Sequence, residues 1–336
     1  MQLVHVVILR IATTLVTLIG VAVIVFFVIR VVPGNPIALM LPPGATDGDI
    51  ARLTALYGLD KPIVQQFLIW GAGVLQGDFG TSITTRQPVM SLVLSRLPAT
   101  LELSVMALVI AAILGGFLAL TGTRLRGTHT EGAIDVANGV ALSVPDFLWG
   151  LILMLLFGVL VPIFHISGRV TPSLQLPFTT NFYLTEALLR LRFDLWADIV
   201  SHMFMPALAL AIPLAAIIGQ LLKQSLKETM HLDYVTLART KGYSENHVIL
   251  REALPNAILP TLTLVGVQFT FLIGGTVIIE RLFSYEGLGN MAIDAVINRD
   301  LPLIQGIVIL FAVIFTAVNL MVDLCYAALN PKLRHA

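Results

Sequence analysis

The chain has 336 residues, of which 57% are hydrophobic and 12% charged, with a formal net charge of zero. A soluble chain carries about 25% charged residues, and no soluble core of this size hides so much apolar surface, so the composition excludes a water-soluble globule and makes the bilayer the solvent. The neutral balance gives no reason to expect a nucleic-acid partner, and the lone Cys325 can form no internal disulfide and has no metal-ligand spacing around it.

The first apolar run extends from Ile11 to Ile29. It is long enough to cross about 30 Å of hydrocarbon, whereas a signal-peptide core has only about 7–15 residues. It therefore reads as a retained first span. Further apolar segments follow, giving expected transmembrane helices near 9–31, 97–121, 133–161, 203–224, 257–280 and 302–327. The expected fold is an all-α membrane protein with six transmembrane helices, an extracytoplasmic cap and a cytoplasmic helical loop. The third span contains Pro145, which predicts tilt or a kink. The fourth contains Pro206 and Pro213, and the fifth Gly266, Gly274 and Gly275. Close helix packing and hinging both account for these residues.

Three polar stretches separate the spans. Residues 32–96 hold Asp47, Asp49, Asp60 and Asp78, with helical patterning around 48–57 and 62–75. They read as a cap on one membrane face. A second loop covers 162–202. A third, 225–256, is amphipathic and charged. This divides the chain into 1–31 (N-terminus and first helix), 32–96 (cap) and 97–336 (a five-helix core with the loop 225–256). The twenty Lys and Arg residues split evenly across the membrane. Basic density is nonetheless higher on the side holding the N-terminus, 122–132, 225–256 and the C-terminus, which also holds Lys223, Lys227, Lys241 and Lys332. The positive-inside rule then places both termini in the cytoplasm.

Catalytic motifs are missing from the sequence. The nearest approach to a phosphate loop, Gly122 to Thr128, has Thr128 where the phosphate-binding lysine should stand. Neither a zinc-protease helix motif nor a Gly-x-Ser-x-Gly elbow occurs. If the chain pumps a solute, energy must come through another subunit or an ion gradient. Acids within spans are sparse: Glu102, Asp135 and Asp323 fall near span ends, where neighbouring segments or headgroups can meet them. Asp146 is deeper, in Ser143-Val144-Pro145-Asp146-Phe147. It could line a water-filled path or make a structural hydrogen bond. Ser143, Asp146 and Phe147 are the candidate solute-path residues.

The loop 225–256 is the most informative. Asp233-Tyr234-Val235-Thr236-Leu237-Ala238-Arg239-Thr240-Lys241-Gly242 precedes a second helical stretch, Tyr243 to Leu254, and then Pro255. Gly242 can take the left-handed geometry that ends a helix, and Ser244 can cap the next one. Such a helix pair offers a rigid knob to a partner, or rests on lipid; composition leaves both open.

Here the sequence resembles the coupling loop of ABC importer permeases. Aligned on Gly242, the pattern Glu-Ala-Ala, three residues, Gly, nine residues, Ile-x-Leu-Pro is met at Ala238, Gly242, Leu254 and Pro255. Thr236 and Glu252 stand where its Glu and Ile would be. The stretch is similar to the peptide and nickel branch, with Asp233, Tyr234, Ala238, Arg239, Lys241 and Gly242, then Ala253, Leu254, Asn256 and Ala257. Other stretches look like the same branch. They are Val32-Pro33-Gly34-Asn35-Pro36, Gly58-Leu59-Asp60-Lys61-Pro62 with Gln66 and Phe67, Gly77-Asp78-Phe79-Gly80 with Ser82, and Arg96-Leu97-Pro98-Ala99-Thr100. Ser143-x-Pro145-x-Phe147, His202 with Pro206-Ala207-Leu208, Glu280-x-x-Phe283-x-x-x-Gly287-Leu288-Gly289 and Asn330-Pro331-Lys332-Leu333-Arg334 complete the set. The likeness is closest to the first, B-type permease of dipeptide importers. Glu286 stands where that branch has Pro, and an acid at Asp146 is also a departure.

The resemblance implies that this chain sits in a bacterial cytoplasmic membrane with a second homologous permease, two cytoplasmic ATP-binding subunits that receive coupling helices, and an extracytoplasmic solute-binding protein. Residues 32–96 and 162–202 would meet the binding protein. No cofactor is expected on this chain, with ATP and Mg2+ on the ATPases. Dipeptides or oligopeptides are the expected solutes, with nickel chelates, glutathione or some sugars as alternatives. A secondary carrier without an ATPase is the competing class, and would show more intramembrane charge and internal symmetry. A membrane scaffold would explain a docking loop but not kinked spans.

Overall fold

A computed structural model describes residues 2–31, 60–174 and 177–329, with positions 46, 48, 51 and 54 between the first two segments. The expected helix at 48–57 apart from positions 48, 51 and 54, which are helical, the stretches 32–36, 58–59 and 330–334, and the side chains of Asp47, Asp49, Asp323 and Cys325 lie outside the described residues. Among the described residues regular structure is helical apart from one isolated bridge, Thr81 with Pro88.

The helices are α1 (Gln2–Val31), α2 (Ile63–Leu75), α3 (Val89–Arg124), α4 (His129–Ser143), α5 (Asp146–Leu160), α6 (Tyr183–Leu189), α7 (Phe193–Thr229), α8 (Asp233–Thr240), α9 (Glu245–Leu282), α10 (Leu288–Ile297) and α11 (Leu301–Leu329). Four of them, α3, α7, α9 and α11, are long and apolar enough to cross a membrane. The chain is thus a multi-pass, all-helical membrane protein. The expectation of six spans is met only in this coarser form. Helix α1 is continuous, with a described apolar stretch at Ala12–Val28, and the anticipated third span is two helices, α4 and α5, bent by 104°.

Pro145 explains the bend. It lacks an N–H and disfavours helical geometry at the residue before it. Val144 is accordingly extended (φ −99°, ψ 124°), which stops α4 at Ser143, and Pro145 itself (φ −57°, ψ 149°) leads into α5.

Helices α3 and α7 form the centre. In lipid, helices gain little from excluding water, so small residues that let backbones approach decide the pairing. On α3 every fourth residue faces inward: Ala99, Leu103, Ala107, Ala111, Gly115 and Ala119 are all buried. The first five meet Ala207, Leu210, Ala211, Leu214, Ala215 and Ile218 of α7, and Ala119 meets Leu222 and Leu226. A Cβ on Gly115 would sit 2.5 Å from the Ala215 carbonyl oxygen, so only glycine permits this approach. The opposite face of α3 exposes Val105, Val109, Ile113 and Phe117. Pro206 and Pro213 lie inside α7 without ending it, Pro206 buried among these contacts and Pro213 half-buried. Beside this core, Phe26 of α1 packs edge-on against Phe67 of α2, with Trp70 alongside.

Candidate functional site: the coupling knob and the bent helix

At one end of α7 the chain turns through residues 230–232 into α8 and then, through Gly242, into α9. The turn at Gly242 has φ +82°. The Gly242 N–H donates to the Arg239 carbonyl (2.9 Å) and the Tyr243 N–H to the Ala238 carbonyl (3.4 Å). This paired arrangement caps a helix C-terminus. A Cβ on Gly242 would meet nothing within 4 Å, so the requirement for glycine comes from the backbone angle and not from space. Ser244 caps the next helix by accepting the His247 N–H. Helix α9 then passes through a wide π turn at Val248–Ala253 and continues past Pro255. The helical stretch expected from Tyr243 to Leu254 is thus continuous with the fifth span: the π turn lies where Pro255 has no N–H for the carbonyl one turn back, so the widened register lets the helix run on.

Two faces of the knob differ. Val235 and Ala238 of α8 are buried with Val248, Ile249 and Ala253 of α9, Leu222 and Leu226 of α7, and Ala119 of α3. The other face exposes Tyr234, Leu237, Tyr243 and Leu250, with Asp233 and Lys241 also exposed. Apolar side chains held outward on a rigid base suit docking better than they suit water. Three polar links fix the base. Asn256 donates to the Tyr234 hydroxyl at 2.8 Å. The Arg239 guanidinium meets Glu245 at 2.9 Å and also reaches the Met230 carbonyl at 3.3 Å. Asp233 opens α8, where an acid favours the helix N-terminus. Of the sequence-stated coupling residues, Leu254 is half-buried against the knob core, and Pro255 is exposed.

Lys223 of α7 connects the knob end to the bent helix. Its ammonium lies 2.8 Å from Glu131 and 2.8 Å from Asp135, both on α4. Asp135 therefore meets a neighbouring segment, as its place near a span end suggested. At the far end of α4 stand the candidate path residues. Ser143 donates back to the Gly139 carbonyl at 2.8 Å, and Asp146 accepts the Phe147 N–H at 2.7 Å. Phe147 is exposed and Asp146 half-buried. The Trp149 indole donates to the Ala141 carbonyl across the bend at 3.4 Å. Ser143, Asp146 and Phe147 thus share one corner, well separated along the chain from α8.

The opposite end is held by buried polar groups. Glu280, fully buried, accepts the Thr100 hydroxyl (2.6 Å) and the Asn290 N–H (3.0 Å), while Thr100 accepts the Leu288 N–H (2.8 Å). A Cβ on Gly287 would collide with that carboxylate, which accounts for the glycine in the Glu280–Gly289 stretch. Asp300, also fully buried, accepts the Ser82 hydroxyl at 2.5 Å and ties the segment after α2 to the start of α11. Glu286 pairs with Arg96 at 2.6 Å on the surface. The two residues come from separate stretches that the sequence singled out, but nothing in either predicted the pairing.

The family model for "Binding-protein-dependent transport system inner membrane component" matches residues 107–335, and the model for the N-terminal part of the same membrane component matches 3–104. The chain is 35% identical over 327 residues to a di/tripeptide transport system permease protein of Pseudomonas aeruginosa, covering 97% of each. It is 37% identical over 334 residues to a dipeptide transport system permease protein of Escherichia coli, again covering 97% of each. A glutathione transport system permease protein of Salmonella choleraesuis is 33% identical over 319 residues, covering 95% of each.

Proposed function

Because the chain belongs to the family of binding-protein-dependent transport system inner membrane components and is a permease subunit of an ABC importer, we propose that it forms half of a translocation path for dipeptides or oligopeptides. In this reading it pairs with a second homologous permease, takes energy from two cytoplasmic ATP-binding subunits that carry ATP and Mg2+, and receives solute from an extracytoplasmic binding protein. Both termini and residues 225–256 are cytoplasmic.

The observation that carries the proposal is the knob at Gly242: an apolar outer face held on a buried base that is continuous with α3, α7 and α9. A partner pushing on α8 moves a rigid body and not a loose loop. The Lys223 contacts to Glu131 and Asp135 pass that displacement to α4 and so to the corner at Asp146. The peptide assignment rests on the relatives, whose names give di/tripeptides, dipeptides and glutathione. A secondary carrier would need no such knob.

The test is purification of the chain from its native membrane under mild detergent. Two ATP-binding chains and one homologous permease should come with it. Reconstituted, the assembly should hydrolyse ATP faster with a peptide-loaded binding protein than with an empty one. Peptide uptake driven by an ion gradient, with no ATP-binding chain present, would overturn the assignment. Stimulation by a nickel chelate or a sugar but by no peptide would move the solute class.

A further inference from the structure

Away from the knob, three metal-competent side chains converge. Asp198 and His202 lie four residues apart on α7 and so share one face. His165 comes from the segment between α5 and α6. His202 precedes the end of α7 at Thr229 by 27 residues, which puts it about 40 Å along the helix from the knob at a rise of ~1.5 Å per residue. One ligand atom from each of the three residues lies within 4.8 Å of the others. The two imidazoles stack with centroids 4.0 Å apart and planes 5° from parallel.

Each side chain is also held by hydrogen bonds, and His202 Nδ1 lies 3.7 Å from the Asp198 carboxylate. His202 is 3% exposed, and its Nδ1 lies 2.9 Å from the Asp198 carbonyl oxygen. His165 Nδ1 lies 2.8 Å from the Ser201 hydroxyl, which in turn donates to the Asp198 carbonyl at 2.7 Å. The Asp198 carboxylate accepts the Thr171 N–H at 2.9 Å and the Thr171 hydroxyl at 2.6 Å. Ligating histidines and carboxylates are characteristically oriented by such outer hydrogen bonds. A carboxylate with two such bonds still has free lone pairs.

We infer that His165, Asp198 and His202 form a divalent transition-metal site of the zinc class, which ties the segment before α6 to α7 on the face opposite the knob. Two imidazoles and one carboxylate are a ligand set that zinc takes, with a fourth position open to water. Calcium and magnesium want oxygen alone. Zinc at about 2.0–2.1 Å from each ligand holds the ligand atoms about 3.3 Å apart in a tetrahedron, so the three groups must close by about 1.5 Å or less, and the His165 ring must turn out of its stack on His202 so that both in-plane lone pairs converge on one ion. His165 is exposed and sits on a connecting segment, so it can supply that movement. His202 is fixed in the packed helix. Closing the site would fasten the segment that also carries Arg169 and Thr171.

The test uses the intact transporter, stripped with a chelator and then dialysed against Zn2+ alone. The unaltered protein should hold one more zinc per copy of this chain than His165→Ala does, and zinc should raise its unfolding temperature. His165→Ala changes an exposed side chain, so loss of zinc there is not a folding failure. Asp198→Asn keeps the size and much of the hydrogen bonding, and should weaken binding by about tenfold or more. Equal zinc content and an equal zinc response in the unaltered protein and His165→Ala would overturn the site.

Discussion

Arg169 Nη2 lies 2.8 Å from Glu102 Oε2, and both side chains are only 5% exposed. Glu102 belongs to α3, and its other oxygen accepts the Thr185 N–H (3.0 Å) and hydroxyl (3.1 Å) at α6. Arg169 also donates to the Asn181 carbonyl at 2.6 Å and lies 3.9 Å over the Tyr183 ring. This buried pair therefore ties the connection between α5 and α7 to α3. Removing one partner leaves an uncompensated buried charge, which costs about 3–5 kcal/mol. Arg169→Met should lower the unfolding temperature of the solubilised protein. The double variant Arg169→Met with Glu102→Gln should recover part of the loss. An Arg169→Met protein that melts with the unaltered one would mean the pair anchors nothing.

Glu186 closes the same connection in a pH-dependent way. Hydrogen bonds from the Thr180 hydroxyl and the Thr179 N–H, the leading causes, hold its carboxyl down to about 2 from 4.5. The folded state thus favours the ionised form. That contribution is complete above the unfolded value and is lost as pH falls from 4.5 through about 2. Pepsin cleavage within 177–190 should appear across this window. Thr180→Val should move its onset to higher pH. An onset that ignores the substitution would remove Glu186 as the cause.

What the sequence made legible was local. An apolar run long enough for a span, a proline that must break one, and a glycine that must turn left-handed each act within a few residues, so 97–121, Pro145 and Gly242 read directly. The extent of the bend at Pro145 did not, because it depends on which neighbours α4 and α5 find. Pairings across the chain were also hidden. Glu102 and Arg169 are 67 residues apart, and Ser82 and Asp300 are 218 apart, with nothing in either segment to nominate its partner. The stripe of small residues on α3 was visible as apolar content, but its four-residue repeat only acquires meaning against α7. Many of the stretches that carried the family resemblance serve buried hydrogen bonds or tight backbone: Ser82, Thr100, Glu280 and Gly287. The resemblance therefore reported the scaffold more directly than the solute.

Gly242→Val tests the knob. The residue sits at φ +82°, where a side chain costs about 1–2 kcal/mol. Since a Cβ there meets no neighbour, the strain falls on the turn and not on the core. The variant should reach the membrane in normal amount but retain less of the ATP-binding subunits on purification, with uptake reduced in step. Unchanged retention and uptake would show that the turn is not a docking element.

Orientation is tested by labelling. In a Cys325→Ser background, Ile50→Cys should react with an impermeant thiol reagent from outside intact spheroplasts. Asn246→Cys, on the exposed part of the knob, should react only after lysis. Labelling of Asn246→Cys in intact spheroplasts would invert the topology and, with it, the assignment of the knob to cytoplasmic ATPases.

Asp146 decides whether the corner at Pro145 meets solute. An ionised carboxylate within a span costs about 2.5–3.5 kcal/mol on insertion scales unless water or a partner meets it. Its one hydrogen bond among the described residues comes from the adjacent Phe147 N–H, at the start of α5. That bond satisfies a backbone donor left free by the helix start, and an amide can accept it as well as a carboxylate can. The N-terminus of α5 favours an acid there, so the question is whether the charge also meets solute. If it draws a cationic group, such as the amino terminus of a peptide, Asp146→Asn should slow uptake of cationic peptides more than of neutral or acidic ones, with protein level and ATP hydrolysis intact. Asn keeps the size and the helix-start bond, so a general loss of protein would point to structure instead. Uptake that is unchanged for every peptide charge would return Asp146 to the role of a helix-start acceptor.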